Sequence, residues 1–140
     1  MTQATEIVDA MLSKLRGLAQ FAADDQVCDA DPQIDEYTVL PIAHLREIKE
    51  THIERRGSGW KRSRALQLDL YQPADAGRAG RDAMLDAVLD MITPIGTGIP
   101  FPGTKLLKLT IGDITLEPEE ISASVLLTQI PITIEYIASN

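Results

Sequence analysis

Leu66, Leu68 and Leu70 alternate with Gln67, Asp69 and Tyr71, and the run stops at Pro73. A period of two is that of an extended strand with one buried face, and such a strand needs neighbours to pair its backbone and a layer to cover it. The neighbour is close at hand. Gly57-Ser58-Gly59 offers a turn, and the preceding run from Tyr37 to about Arg56 is rich in β-formers: Tyr37, Thr38, Val39, Ile42, Ile48, Thr51 and Ile53. The two runs predict a long antiparallel hairpin whose tip is Arg55 to Arg64. Pro41 lacks an N–H for a ladder and marks an edge or a bulge.

A second pair follows the same logic. Leu107, Leu109 and Ile111 alternate, Gly112-Asp113 is a turn candidate, and Leu126, Ile130, Ile132, Ile134 and Tyr136 stay in phase within a β-rich run from Ile121 to Tyr136. Pro131 within it predicts an edge strand or a bulge. Two stretches have helical spacing instead. Ile7, Val8, Met11, Leu12, Leu15 and Leu18 form one stripe between Thr5 and Leu18. Met84, Leu85, Val88, Leu89, Met91 and Ile92 form another between Asp75 and Ile92, with Arg81, Asp82, Asp86 and Asp90 off the stripe.

The connections read as loops. Asp24, Asp25, Asp29, Asp31, Pro32, Asp35 and Glu36 make an acidic, solvated segment, and Pro94 to Gly103 holds three prolines and three glycines in ten residues. The order helix, strand, strand, helix, strand, strand predicts an α+β fold: a mainly antiparallel sheet of about four strands with two helices on one face. At 140 residues the chain is long enough for one domain with a real core, spanning residues 1–140.

Chemical motifs are few. Thr104 and Lys105 follow a Pro/Gly loop in the wrong order for a phosphate loop, and Pro100 and Pro102 have no N–H for a phosphate. His44 and His52, eight residues apart, would share a face of an unbulged strand, yet at strand rise they stand roughly 27 Å apart, too far to share a metal. Cys28, the single cysteine, can form no internal disulfide and has no basic neighbour to activate it. It suits a reducing compartment or a particle assembled inside a cell. No Gly-x-Ser-x-Gly, His-Glu-x-x-His or Cys-x-x-Cys occurs, and the acidic segment lacks the spacing of a calcium loop. No enzyme, cofactor or metal is expected. Neither a signal peptide nor an apolar run of membrane-spanning length is present, so the chain reads as soluble.

Charge gives the sharper signal. Thirteen Lys and Arg against 21 Asp and Glu leave −8, which argues against a generic nucleic-acid binder. Between His44 and Arg64, however, seven basic residues (Arg46, Lys49, Arg55, Arg56, Lys61, Arg62 and Arg64) face only Glu47, Glu50 and Glu54, a local +4 against −12 elsewhere. Trp60 sits beside Lys61 and Arg62 with no apolar partner in sequence. It is either a contact residue on an arm that docks on an acidic surface or a side chain folded back on the sheet. The next copy of the same acidic protein is the nearest such surface, and a head-to-tail contact of that kind closes into a ring when the rotation allows.

In order and spacing the chain resembles the tailed-phage tail terminator family, the minor tail protein U-like proteins. The resemblance rests on a short first helix, a strand entered through Val39-Leu40-Pro41-Ile42, a long charged hairpin with a Trp near its tip, and the return strand Leu66 to Pro73. It continues through a helix at Asp82 to Ile92 and the terminal Ile132-Thr133-Ile134-Glu135-Tyr136. It implies a non-enzymatic virion assembly protein, encoded by a phage or prophage and assembled in the bacterial cytoplasm. Its implied place is the tail–head junction, as a hexameric ring that caps the tail tube, halts tail polymerisation and offers a surface for head attachment. The implied partners are further copies of itself, the major tail tube protein and head-tail connector proteins, with DNA passing through unbound. Arg55, Arg56, Trp60, Lys61, Arg62 and Arg64 become the candidate contact with the next subunit or the tube. The competing readings are another neck component, such as a head-completion or connector protein, and a small-ligand domain whose Pro/Gly loop closes over an apolar pocket.

Overall fold

Three strands of fifteen residues each dominate the architecture: β2 (Ile42–Arg56), β3 (Gly59–Pro73) and β6 (Val125–Ser139). They belong to a computed structural model that describes residues 3–21, 23–30, 40–57, 59–92, 106–116 and 125–139. The remaining elements are α1 (Gln3–Arg16), β1 (Val27–Cys28), α2 (Gly77–Ile92), β4 (Leu106–Ile111) and β5 (Thr115–Leu116). Among the described residues the sheet has six strands in the order β1-β2-β3-β6-β4, with β5 also on β6. All pairings are antiparallel except β1 with β2.

The core follows from the two periodicities. Leu66, Leu68 and Leu70 point to the same side as Ile130, Ile132, Ile134 and Tyr136, and Ile7, Met11 and Leu15 of α1 with Met84, Val88 and Ile92 of α2 share one buried cluster with them. Both helices therefore pack on one face. Gly17 ends α1 with its N–H donating to the carbonyls of Ser13 and Lys14, at 3.2 and 3.1 Å, and Arg16 Nη2 donates to Val27 O at 3.2 Å, fixing β1 against the helix end. Gln26 closes the same corner: its Oε1 accepts from Ala23 N at 2.8 Å and its Nε2 donates to Pro41 O at 3.0 Å.

Four sequence expectations need correction. The described residues form six strands and not about four, because β1 and β5 are two residues each, too short for any alternation to show. Part of the acidic segment is ordered: Asp24–Gln26 is a 3-10 turn and Val27–Cys28 pairs parallel with Ala43 and His44. Arg81 is buried, although it lies off the apolar stripe of α2.

The fourth concerns Pro131. β6 is neither an edge nor bulged, since it pairs with β3 without a break from Val125 to Ser139. In an antiparallel strand the N–H and C=O of one residue point to the same side. The Pro131 carbonyl accepts from Gly112 N at 2.9 Å, so its missing N–H also faces the outer strand, where β4 has ended at Ile111 and β5 starts at Thr115. The outer strand is the one that breaks. Glycine suits position 112, because a Cβ on it would stand 3.1 Å from Pro131 Cγ, closer than ordinary van der Waals contact.

The expected start of the hairpin at Tyr37 to Val39, the acidic residues from Asp31 to Glu36, the Pro94 to Gly103 loop and the segment Ile121 to Ser124 lie outside the described residues.

Candidate intermolecular contact site

The basic hairpin is built on two irregularities in β2. Register shifts fall between Glu47 and Lys49 and between His52 and Glu54, so Ile48 and Ile53 have no partner across the ladder. Each shift reverses the phase of the strand. Glu47, Glu50, His52 and Arg55 consequently all lie on the helix-bearing side, opposite Leu66, Arg64, Arg62 and Trp60. His44, opposite Asp69, is on the other side. The two histidines thus do not share a face, because a bulge stands between them.

Along that face the chemistry changes. At Leu45, Leu68 and Ile130 the sheet is apolar and fully buried. Further on, β6 continues as Ile134 and Tyr136, whereas β2 and β3 turn polar. Arg64 Nη1 donates to Glu47 Oε1 at 2.5 Å, and its Nε and Nη2 donate to Glu50 Oε1 at 3.1 and 2.9 Å. Arg62 Nη1 stands 3.5 Å from Glu50 Oε2, and the Tyr136 hydroxyl donates to Glu50 Oε1. Glu50 thereby joins all three long strands.

Burial alone would lower the pKa of Arg64, but hydrogen bonds and charge from Glu47 and Glu50 outweigh it and hold the guanidinium above its ordinary value. A raised value means that the stabilisation is fully present below the unfolded-state pKa and is lost only as pH rises through the folded one, beyond the arginine range.

On the opposite face Asp69, nearly fully buried, is held by Arg46 Nε at 3.0 Å, by Gln67 Nε2 at 2.8 Å and by Gln129 Nε2 at 3.3 Å. It satisfies the rule that a buried carboxylate needs a charge partner and hydrogen bonds.

The six candidate residues therefore separate. Arg62 and Arg64 are engaged with carboxylates of their own chain. Trp60 is half-buried and outside the main core, its ring 5.4 Å from that of His52, with the Arg55 guanidinium 5.8 Å from the ring centre. Arg55 is exposed and Lys61 partly so, and Arg56 pairs with Gly59 at the end of the ladder. Gly57, at φ +58°, makes the tight return possible. The tip is also less free than a two-stranded arm, because β6 accompanies β3 to the register Gly59–Ser139.

Glu47, Glu50, Tyr136 and Asp69 were not singled out from sequence as site residues. Glu47 and Glu50 are three apart, a spacing that a regular strand puts on opposite faces, and only the bulge unites them. Among the described residues no group of three or more His, Cys, Asp or Glu side chains could hold a metal, and no helix is long and apolar enough to cross a membrane.

No family model and no curated protein matches the sequence. Among solved structures, a chain of the "Virion of native gene transfer agent (GTA) particle" is similar to this one, with a TM-score of 0.62, 18% identity and 92% of each chain covered. At that identity the likeness is one of fold, and it takes in nearly the whole of both chains.

Proposed function

We propose that this protein is a structural component of a phage-type virion, a tail terminator of the minor tail protein kind, encoded by a phage or prophage. It acts by assembly and not by catalysis: copies form a ring, hexameric by the family resemblance, on the end of the tail tube, stop its growth and present a surface for head-tail connector proteins. The observation that carries this reading is the fold shared over 92% of both chains with a chain of a gene transfer agent virion. The order of helix, charged hairpin, helix and terminal strand supports the narrower assignment to the tail end. An excess of 12 negative charges outside the hairpin suits a ring through which DNA slides, since a basic lining would hold DNA by counterion release. The ring would sit at the tail–head junction of the virion.

The test is light scattering of the protein with and without tubes of the major tail protein, alongside measurement of tube length. A ring-sized species on the tubes and tubes that stop growing are the expected result. A monomer under all conditions, with tubes that lengthen unchecked, would overturn the reading. Binding to head-completion proteins and not to tubes would move the assignment to another neck component.

A further inference from the structure

Large apolar side chains that remain exposed lie on the two opposite edges of the sheet. Among the described residues they are Ile48 (51% exposed) and Ile53 (44%) on β2, and Leu116 (43%) on β5. β1 covers β2 only at Ala43 and His44, so from Leu45 onward β2 is an edge among the described residues. Such an edge invites pairing, and its two bulges make a continuous ladder with another strand unfavourable. Side-chain docking is the contact that remains.

The first bulge also opens a cleft. It has a volume of about 180 Å³ and is lined by Glu47, Ile48, Lys49, Glu50 and Arg64. The Glu50 and Glu47 carboxylates hold the Arg64 guanidinium, so the charged lining of this shallow cleft is paired within the chain, and Ile48 is its one apolar residue. On the far edge, Leu116 follows Asp113, and the sequence runs on from it as Glu117-Pro118-Glu119-Glu120. An exposed leucine in an acidic stretch thus has its counterpart in an exposed isoleucine on the hairpin that carries the net positive charge.

We infer that Leu116 of one copy seats against Ile48 in the bulge cleft of the next copy, joining the two unlike edges of the sheet head to tail. The inference rests on the ring reading above and names the surfaces that would make it. A knob and a cleft on different parts of one molecule give a heterologous contact, which closes into a ring or runs on as a filament. Leu116 shares a row with Thr128, Leu70 and Ala43, and Ile48 lies five residues further along β2. Joining them offsets neighbouring sheets by about 16 Å along the strand direction.

Single-cysteine variants in a Cys28→Ser background provide the test, with circular dichroism and melting curves to establish that each is folded. Ile48→Cys mixed with Leu116→Cys, oxidised and run without reductant, should give a band of twice the monomer mass that neither variant gives alone. The double variant should give a ladder ending at the ring. Strong cross-linking of Ile48→Cys with itself would overturn the inference in favour of a two-fold contact. So would the absence of a mixed band in samples that light scattering shows to be rings, and there the ring reading itself survives. If scattering finds only monomers, with and without tail tubes, both fall. Leu116→Asp, with its melting temperature unchanged, should weaken association at least tenfold.

Discussion

At Leu45, Leu68 and Ile130 the three long strands meet in a dry apolar row under the helices, and at Glu50, Arg64 and Ile134 the same strands hold a carboxylate and a guanidinium on that same face. The first region is specified by alternation, and any side chain of suitable size and polarity keeps it together. The second depends on named partners, on a bulge that brings Glu47 and Glu50 to one side, and on Tyr136 reaching across from β6. One end of the sheet makes the protein fold. The other holds a charged hairpin in place through ion pairs, which in the proposed contact role would spare that surface the cost of being ordered on binding.

The contrast can be broken most severely from the apolar end. Leu68→Ala, at a fully buried position, should lower unfolding stability by about 3 kcal/mol in urea denaturation, through lost burial and the cavity left behind. Glu50→Ala should cost about 2 kcal/mol, because Arg62, Arg64 and Tyr136 all lose a partner. Its distinguishing effect is local: hydrogen exchange should quicken in residues 47–64 before it does in α1. A loss spread evenly over the sheet would show that the two regions are one cooperative unit. Gly112→Ala should cost about 1 kcal/mol by crowding Pro131. Smallest in stability is Trp60→Ala, which should shift the melting temperature by no more than about 3 °C yet reduce assembly on tubes. A large loss of stability with assembly intact would make Trp60 a packing residue.

The apolar region was largely legible in the sequence. Leu66-Leu68-Leu70, Ile130-Ile132-Ile134 and the α1 stripe occupy the core that their periodicity requires. The polar region was legible only as a charge excess. Its internal arrangement was hidden because a bulge leaves no compositional trace: Ile48 and Ile53 look like ordinary β-formers, and they are the residues that drop out of register. Pro131 misled for a related reason. Its missing N–H is tolerated in an interior strand because the neighbour is interrupted, and that interruption, Gly112 to Ile114, contains the Gly112-Asp113 pair that sequence alone reads as a turn. Likewise, Glu47 and Glu50 enter the sequence reading only as charges subtracted from the total, whereas in the fold they pair directly with Arg62 and Arg64. What remains for the proposed neighbour is a shorter set: Arg55, Trp60, Lys61, the edge of β2 and the cleft at Ile48.

The central claim, a ring on the end of a tail tube, is tested most directly by negative-stain imaging of the protein mixed with tail tubes. The account predicts a ring-shaped cap at one end of each tube and none along its length. Bare tube ends, or protein scattered along the tube wall, would contradict it.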